Sequence, residues 1–179
     1  MTALIIGGAA SGKSAYAERL LMRLSGGAKR IYVATMEPYG AEAAARIAKH
    51  RQARENKGFV TLERFTNLAG LRAPEKSAVL LEDLGNLCAN ELYSPQGAGD
   101  GAEVAILEGV TRLREQCAHL VIVSNEIFCG GTAYQGDTLR YLRLLARLHR
   151  KIAETADAVC ELSCGIPTYY KGAECHEIP

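Results

Sequence analysis

The chain has 179 residues, of which 48% are hydrophobic, 23% are charged and 6% are aromatic. This length is typical of one domain with a substantial hydrophobic core, so we treat residues 1–179 as a single domain. Twenty-one Lys and Arg residues against 20 Asp and Glu residues give a net charge of +1, which excludes the strongly basic surface typical of a nucleic-acid-binding protein.

Short apolar runs alternate with segments of helical periodicity along the chain. Extended segments are predicted at residues 3–6, 31–35, 60–65, 78–81, 120–123 and 158–163. Helices are predicted at residues 15–24, 41–54, 86–92, 102–117 and 138–155. Residues 94–101 and 128–137 are rich in glycine and are predicted to be loops. A short tail is expected after Gly165-Ile166-Pro167.

The alternation of strands and helices predicts an α/β fold, with a mostly parallel sheet and helices on both faces. Ligands of such sheets bind beyond the carboxyl ends of the strands. Polar residues stand at three of these predicted ends, namely Thr35, Glu82 and the pair Asn125-Glu126. We therefore expect the functional site at this edge of the sheet.

The segment Gly7-Gly8-Ala9-Ala10-Ser11-Gly12-Lys13-Ser14 matches the P-loop pattern G-x-x-x-x-G-K-[ST]. It lies between a predicted strand and a predicted helix, which is the context that the mechanism requires. The loop backbone presents N–H groups to phosphate oxygens at the positive end of the helix dipole. Lys13 is expected to reach the β- and γ-phosphates, and the Ser14 hydroxyl to bind Mg²⁺. The sequence therefore predicts a site for a nucleoside triphosphate.

The predicted helix over residues 41–54 carries a second group of polar residues. Arg46, His50 and Arg54 are spaced four residues apart and share one helix face, with Arg51 next to the histidine. A solvated basic face is one interpretation. The other is phosphate chemistry, in which arginines hold phosphate oxygens while the neutral His50 imidazole attacks the α-phosphorus. The spacing by itself leaves both interpretations open.

The sequence also indicates a cytoplasmic, reducing environment. No apolar run approaches the roughly 20 residues that a membrane span needs, and the N-terminus runs directly into a predicted strand, so we expect no signal peptide. The six cysteines form no C-x-x-C pair, which argues against a zinc or redox motif. Four of them lie among apolar residues and are predicted to be reduced core thiols, namely Cys88, Cys117, Cys160 and Cys164.

Taken together, these motifs resemble the bifunctional adenosylcobinamide kinase and adenosylcobinamide-phosphate guanylyltransferase family of cobalamin biosynthesis. The resemblance covers essentially the whole chain, and the P-loop combined with R-I-x-x-H-R-x-x-R is its most specific part. It is carried by the P-loop, Tyr32-Val33-Ala34-Thr35, Arg46-Ile47, His50-Arg51, Arg54, Thr61, Glu63, Leu80-Leu81-Glu82, Val123-Ser124-Asn125-Glu126 and Gly165-Ile166-Pro167.

The resemblance implies a RecA-like P-loop sheet, a homotrimer, and adenosylcobinamide and its phosphate as substrates. It implies that His50 takes GMP from GTP, with Lys13 as the second catalytic residue and GTP or ATP as the phosphate donor. It implies that Glu82 holds Mg²⁺ together with Ser14, as a Walker B acid does. Residues expected to contact GTP or its metal are the P-loop residues 7–14, Ala34, Thr35, Arg51, Arg54, Glu63 and Glu82.

The chain departs from the family pattern at several positions. Ala10 replaces an arginine in the loop, Phe59 replaces a tryptophan, and His149 begins the pair that replaces an asparagine-glutamine pair in the last predicted helix. The guanylyltransferase motif is intact, whereas the part associated with the kinase has drifted. Two alternatives therefore accompany the bifunctional enzyme. One is a P-loop small-molecule kinase without a covalent intermediate, and the other is a nucleotide-binding regulatory protein without turnover.

Overall fold

The computed structural model describes residues 1–38, 52, 54, 56–130 and 133–172. The helix predicted over residues 41–54 lies almost entirely outside this part of the chain. His50, Arg51 and Arg46 are therefore outside the described residues, whereas Arg54 is included. The fold below is that of the described residues.

Seven strands of the described residues form one sheet, in the order β3-β2-β4-β5-β1-β6-β7. All neighbouring strands are parallel except β6 and β7, which pair in antiparallel fashion. The strands are β1 Thr2–Gly7, β2 Arg30–Ala34, β3 Phe59–Glu63, β4 Ala78–Glu82, β5 His119–Asn125, β6 Ala158–Ser163 and β7 Ile166–Lys171.

The helices cover both faces of this sheet, as the sequence predicts. They are α1 Lys13–Leu24, α2 Leu84–Tyr93, α3 Ala102–Gln116 and α4 Gly136–Thr155, with short 3₁₀ turns at Leu68–Gly70 and Gly99–Gly101. On one face, α1 packs Ala17, Leu20 and Leu21 against the sheet. On the other face, α2, α3 and α4 share a larger apolar core. The predicted mostly parallel α/β fold is confirmed.

Two expectations about the C-terminal part are wrong. The expected tail after Pro167 is an edge strand, β7, which pairs with β6 from Ser163 to Val159. Proline is compatible with an edge strand because its missing N–H faces away from the ladder. Cys164, expected in the core, is exposed because it lies in the tight β6–β7 turn with φ of 52°. Cys88 and Cys160 are buried as predicted, and Cys117 is half-buried.

The strand order sets the carboxyl ends of β1 and β2 next to the ends of their neighbouring strands. β1 lies between β5 and β6, so Gly7 at its end stands opposite Asn125 and Leu162. β2 lies between β3 and β4, which sets Ala34 in register with Glu63 on one side and Glu82 on the other.

None of the helices in the described ranges is long and apolar enough to cross a bilayer.

Candidate nucleotide-binding and transfer site

The P-loop connects the end of β1 to the first turn of α1. Its backbone turns back at Ser11, whose N–H donates to the Gly8 carbonyl at 3.3 Å, and the Lys13 ammonium donates to the same carbonyl at 3.0 Å. Gly12 adopts φ of 88°, a left-handed conformation that strongly favours glycine. The helix α1 then begins at Lys13 with free N–H groups at its N-terminus, the arrangement that binds phosphate oxygens.

The turn between β6 and β7 packs against the P-loop and hydrogen-bonds to it. The Gly165 N–H donates to the Ser11 carbonyl at 2.9 Å, and a Cβ added to Gly12 would come within 3.3 Å of the Gly165 Cα. Ala9 and Ala10 form the exposed tip of the loop, where Ala10 adopts φ of 56°. The Gly165-Ile166-Pro167 motif is thus brought against the P-loop, a role that its distance in sequence conceals.

Glu82, at the end of β4, faces the first turn of α1. The Ser14 hydroxyl donates a hydrogen bond to the Glu82 carboxylate. A hydroxyl and a carboxylate are hard oxygen ligands, and Mg²⁺ in nucleotide sites is held by one or two such groups together with phosphate oxygens and water. The two side chains therefore fit the predicted Mg²⁺ role.

Asp83 follows Glu82 and caps α2. Its carboxylate accepts hydrogen bonds from the Asn86 backbone N–H at 2.6 Å and from the Asn86 side-chain amide at 3.1 Å. Burial raises the pKa of both carboxyls, and this effect outweighs the Ser14 hydrogen bond to Glu82 and the charge of Lys13 near Asp83. Two adjacent carboxyls with raised pKa values thus form one wall of the site, and a nearby cation would favour their charged forms.

Thr35 holds the end of β4 in place through hydrogen bonds to Glu82 and Asp83. Its side chain has no exposed surface, and its hydroxyl donates to the Asp83 carbonyl at 2.8 Å and accepts from the Asp83 N–H at 2.7 Å. Its backbone N–H donates to the Glu82 carbonyl, and its own carbonyl accepts from the Asn90 amide at 2.8 Å. In this structure Thr35 therefore positions the strand end of β4 and does not face the open cleft.

A cavity of about 160 Å³ opens in front of these groups. Arg54 lies on one side, with its guanidinium carbon 3.4 Å from the centre of the Tyr32 ring and its Nε 3.7 Å from Glu18 Oε1. Lys57 also pairs with Glu18. An arginine held in this way presents its remaining N–H groups to an anion. The cavity is lined by Ser14, Glu18, Tyr32, Ala34, Met36, Arg54, Glu63, Glu82, Asp83 and Asn86.

The cavity brings together five of the predicted site residues, namely Ser14, Ala34, Arg54, Glu63 and Glu82. Glu18 and Asp83 also line it, although no motif in the sequence marks them as site residues. A charged residue within an amphipathic helix, such as Glu18, gives no sequence signal of function. Asp83 carries a recognisable signal, because it directly precedes the first residue of a helix, and Asp is one of the residues preferred at this N-cap position.

A family model described as cobinamide kinase / cobinamide phosphate guanyltransferase matches residues 3–169 of this chain. The chain belongs to this family. Among curated proteins, it is similar to the bifunctional adenosylcobalamin biosynthesis protein CobP of Pseudomonas aeruginosa, with 36% identity over 177 residues, covering 96% of this chain and 98% of that protein. The Escherichia coli protein CobU, of the same description, is 31% identical and covers 93% and 97%.

Solved structures agree on the fold. The flagellar accessory protein FlaH from Methanocaldococcus jannaschii aligns with a TM-score of 0.52 at 11% identity, covering 97% of this chain and 79% of that one. A KaiC-like protein from Pyrococcus horikoshii aligns with a TM-score of 0.51 at 12% identity, covering 89% and 71%. The predicted P-loop NTPase fold is confirmed, and the family makes the chain a kinase and guanylyltransferase of cobalamin biosynthesis.

His149, one departure from the family pattern, is built into the protein interior. Its Nε2 lies 2.6 Å from the Ser124 hydroxyl, and the Phe128 ring packs edge-on against the imidazole at 5.6 Å between ring centres. Burial lowers the pKa of His149 to about 4, although the charge of Glu126 acts in the opposite direction. His149 therefore ties α4 to the carboxyl end of β5, next to Asn125.

Proposed function

We propose that one cleft serves both reactions of this enzyme, phosphorylating adenosylcobinamide and then transferring GMP from GTP to the new phosphate. The observation that carries this proposal is the cavity that joins P-loop Ser14, strand-end Glu82 and Arg54. Because Arg54 follows His50 by four residues, the cavity also links the P-loop to the segment that bears the proposed nucleophile.

The P-loop backbone, from Gly7 to Gly12, and the Lys13 ammonium would hold the triphosphate. The Ser14 hydroxyl and Glu82 carboxylate, already in contact, would hold Mg²⁺, which supplies positive charge to the phosphate oxygens. Arg54 faces the same space from the side of β2. Ala34, Arg51 and Glu63 complete the proposed GTP-contacting set, whereas Thr35 is fully buried and holds the end of β4 in place beside it.

In the guanylyl transfer, the neutral His50 imidazole would attack the α-phosphorus of GTP. A nitrogen–phosphorus bond forms, the α–β phosphoanhydride bond breaks, and pyrophosphate leaves. An oxygen of adenosylcobinamide phosphate then attacks the same phosphorus, which releases His50 and yields adenosyl-GDP-cobinamide. Arg51 and Arg54 would stabilise the charge that develops on the α-phosphate oxygens.

In the kinase reaction, the hydroxyl of the aminopropanol arm would attack the γ-phosphorus of ATP or GTP. The β–γ phosphoanhydride bond breaks, the nucleoside diphosphate leaves, and the hydroxyl proton passes to solvent or to a nearby base. Lys13 would stabilise the charge on the transferred phosphoryl group. The same anchored triphosphate thus offers two phosphorus atoms to two nucleophiles.

The resemblance to the family further supports the proposal that the protein is a homotrimer located in the cytoplasm.

The experiment is incubation with GTP labelled at the α-phosphate, followed by denaturing electrophoresis. We expect a protein-bound label that is stable in alkali and labile in acid, because a phosphorus–nitrogen bond has this behaviour. His50→Ala should abolish the label. His119→Ala is the matched control, since His119 lies at the amino-terminal end of β5, whereas the P-loop follows the carboxyl end of β1. This variant should label normally.

Two other results would select the alternatives. Equal labelling of His50→Ala would contradict the covalent intermediate, and transfer from γ-labelled nucleotide to adenosylcobinamide would then leave a simple kinase. Tight GTP binding without pyrophosphate release or phosphate transfer would indicate a regulatory protein.

A further inference from the structure

Arg54 is held in the nucleotide cavity from two directions. Its guanidinium carbon lies 3.4 Å from the centre of the Tyr32 ring, and its Nε lies 3.7 Å from Glu18 Oε1. The side chains of Arg54 and Glu18 are each 12% exposed. A free arginine side chain is flexible, so a ring face and a carboxylate that fix the guanidinium also fix the direction of its N–H groups.

The ring that carries Arg54 is anchored to the sheet. Tyr32 lies two residues before Ala34, which is in register with Glu82 on β4. Side chains two residues apart in a strand share one face of the sheet, so Tyr32 and Glu82 are diagonal neighbours on the face that α1 covers. The Tyr32 hydroxyl hydrogen-bonds the Glu82 carboxylate, and burial raises the pKa of Tyr32, which keeps the phenol protonated. One tyrosine therefore joins the arginine to the strand end that faces Ser14.

Glu18 holds the same arginine from the side of α1. It follows Ser14 by four residues and so lies one helical turn further along the same face. Its side chain is buried, and its carboxylate pairs with Lys57 as well as with Arg54. A buried charge is unfavourable unless it is paired, so these two cations account for an acid on the buried side of α1. Glu18 thereby connects the helix that follows the P-loop to Arg54.

We propose that Tyr32 and Glu18 are positioning residues for guanylyl transfer, which aim the Arg54 guanidinium at the α-phosphate oxygens of the bound nucleotide. The proposal rests on the proposed function, in which Arg54 stabilises the charge that develops on those oxygens, and it adds the two side chains that fix Arg54. A donor that is already in place needs no reorganisation when that charge develops. Loss of either support should therefore slow the transfer step more than it weakens GTP binding.

Two substitutions of Tyr32 separate the ring from the hydroxyl. Tyr32→Leu removes the ring face, and we expect it to lower the rate of self-labelling at saturating α-labelled GTP by about tenfold, which corresponds to about 1.4 kcal/mol. Tyr32→Phe keeps an aromatic face that binds a cation, so its rate should stay within about twofold of the wild-type rate. Tyr170→Leu is the matched control, because Tyr170 is exposed on β7, at the opposite edge of the sheet from β3, and it should label normally.

Glu18→Gln tests the second support without opening a cavity. We expect it to slow self-labelling several-fold, because the amide keeps the shape of the side chain and loses the charge that holds Arg54. Glu108→Gln is the matched control, since Glu108 pairs with Arg112 on the surface of α3, and it should leave the rate unchanged. Combination with Arg54→Met shows whether each effect passes through the arginine. Neither Tyr32→Leu nor Glu18→Gln should slow an Arg54→Met protein further.

Proton–nitrogen correlation spectra of the arginine side chains test the positioning without turnover. An aromatic ring shields a group that lies over its face, so Tyr32→Leu should move the Nε–H signal of Arg54. This signal is identified by its absence in Arg54→Met. An unchanged signal in Tyr32→Leu would show that the ring does not hold the arginine.

The possible outcomes separate the two proposals. If Tyr32→Phe labels as slowly as Tyr32→Leu, the ring face is not responsible and the positioning proposal is overturned. The same conclusion follows if Tyr32→Leu and Glu18→Gln slow the Arg54→Met protein as much as they slow the wild type. If the wild-type protein takes no label, the proposed function fails, and the Arg54 signal then decides the positioning on its own. Thermal unfolding identifies a variant that does not fold; if Tyr32→Leu is such a variant, Glu18→Gln and its combination with Arg54→Met decide the question.

Discussion

Replacement of Thr35 by Val tests whether the hydrogen bonds of the Thr35 hydroxyl hold the end of β4 in place. Valine has nearly the same shape, so the change removes a hydroxyl without opening a cavity. The hydroxyl accepts from the Asp83 N–H and donates to the Asp83 carbonyl. The carbonyl retains the Leu87 N–H at 3.2 Å, but the Asp83 N–H loses its partner. A buried polar group without a partner costs about 1–3 kcal/mol.

We therefore expect Thr35→Val to lower the free energy of unfolding by about 2 kcal/mol, or the melting temperature by about 4–8 °C for a chain of this size. Urea denaturation followed by circular dichroism measures this change. Thr35→Ser is the control, because it keeps the hydroxyl and loses one methyl group, worth about 0.8 kcal/mol. The reasoning is refuted if the valine variant is as stable as the wild type, since a purely apolar account of this buried site predicts that result.

Two further changes test contacts next to the same strand ends. Asp83→Ala should cost about 1 kcal/mol in urea denaturation because α2 loses its N-cap, whereas Asp83→Asn, which can still accept from the Asn86 N–H, should cost much less; equal losses would contradict the capping role. Burial lowers the pKa of His149 from 6.5 to about 4, so the unfolded chain takes up the proton first as the pH falls. The free energy of unfolding should then decrease by about 3 kcal/mol between pH 6.5 and pH 4, and His149→Gln should lack this part of the decrease.

The sequence predicts the phosphate-binding half of the site because its signals are local. The P-loop pattern spans eight residues and lies between a strand and a helix, so the backbone geometry follows from the motif itself. Glu82 is predictable for a related reason, since the carboxyl ends of parallel strands meet at one edge of a sheet. The observed register, with Ala34 between Glu63 and Glu82, agrees with that expectation.

The remaining contacts depend on packing between distant segments. Glu18 looks like a solvent-facing residue of α1, and only the approach of Arg54 and Lys57 explains its burial. The strand β7 was hidden by Gly165 and Pro167, which read as loop residues, although Thr168-Tyr169-Tyr170 has the composition of a strand. Its turn braces the P-loop through a backbone hydrogen bond from Gly165 to Ser11, which leaves no pattern in the sequence.

The proposed function places two reactions on one anchored triphosphate in one small domain. Attack on the γ-phosphorus and attack on the α-phosphorus need nucleophiles at different points along the same triphosphate. Arg54 lines the cavity that also contains Ser14 and Glu82, next to the Tyr32 ring. An enzyme that had to move the triphosphate between two sites would lose the interactions of Lys13 and Ser14 at each transfer. Keeping the triphosphate fixed and bringing each nucleophile to its own phosphorus atom retains those interactions in both transition states.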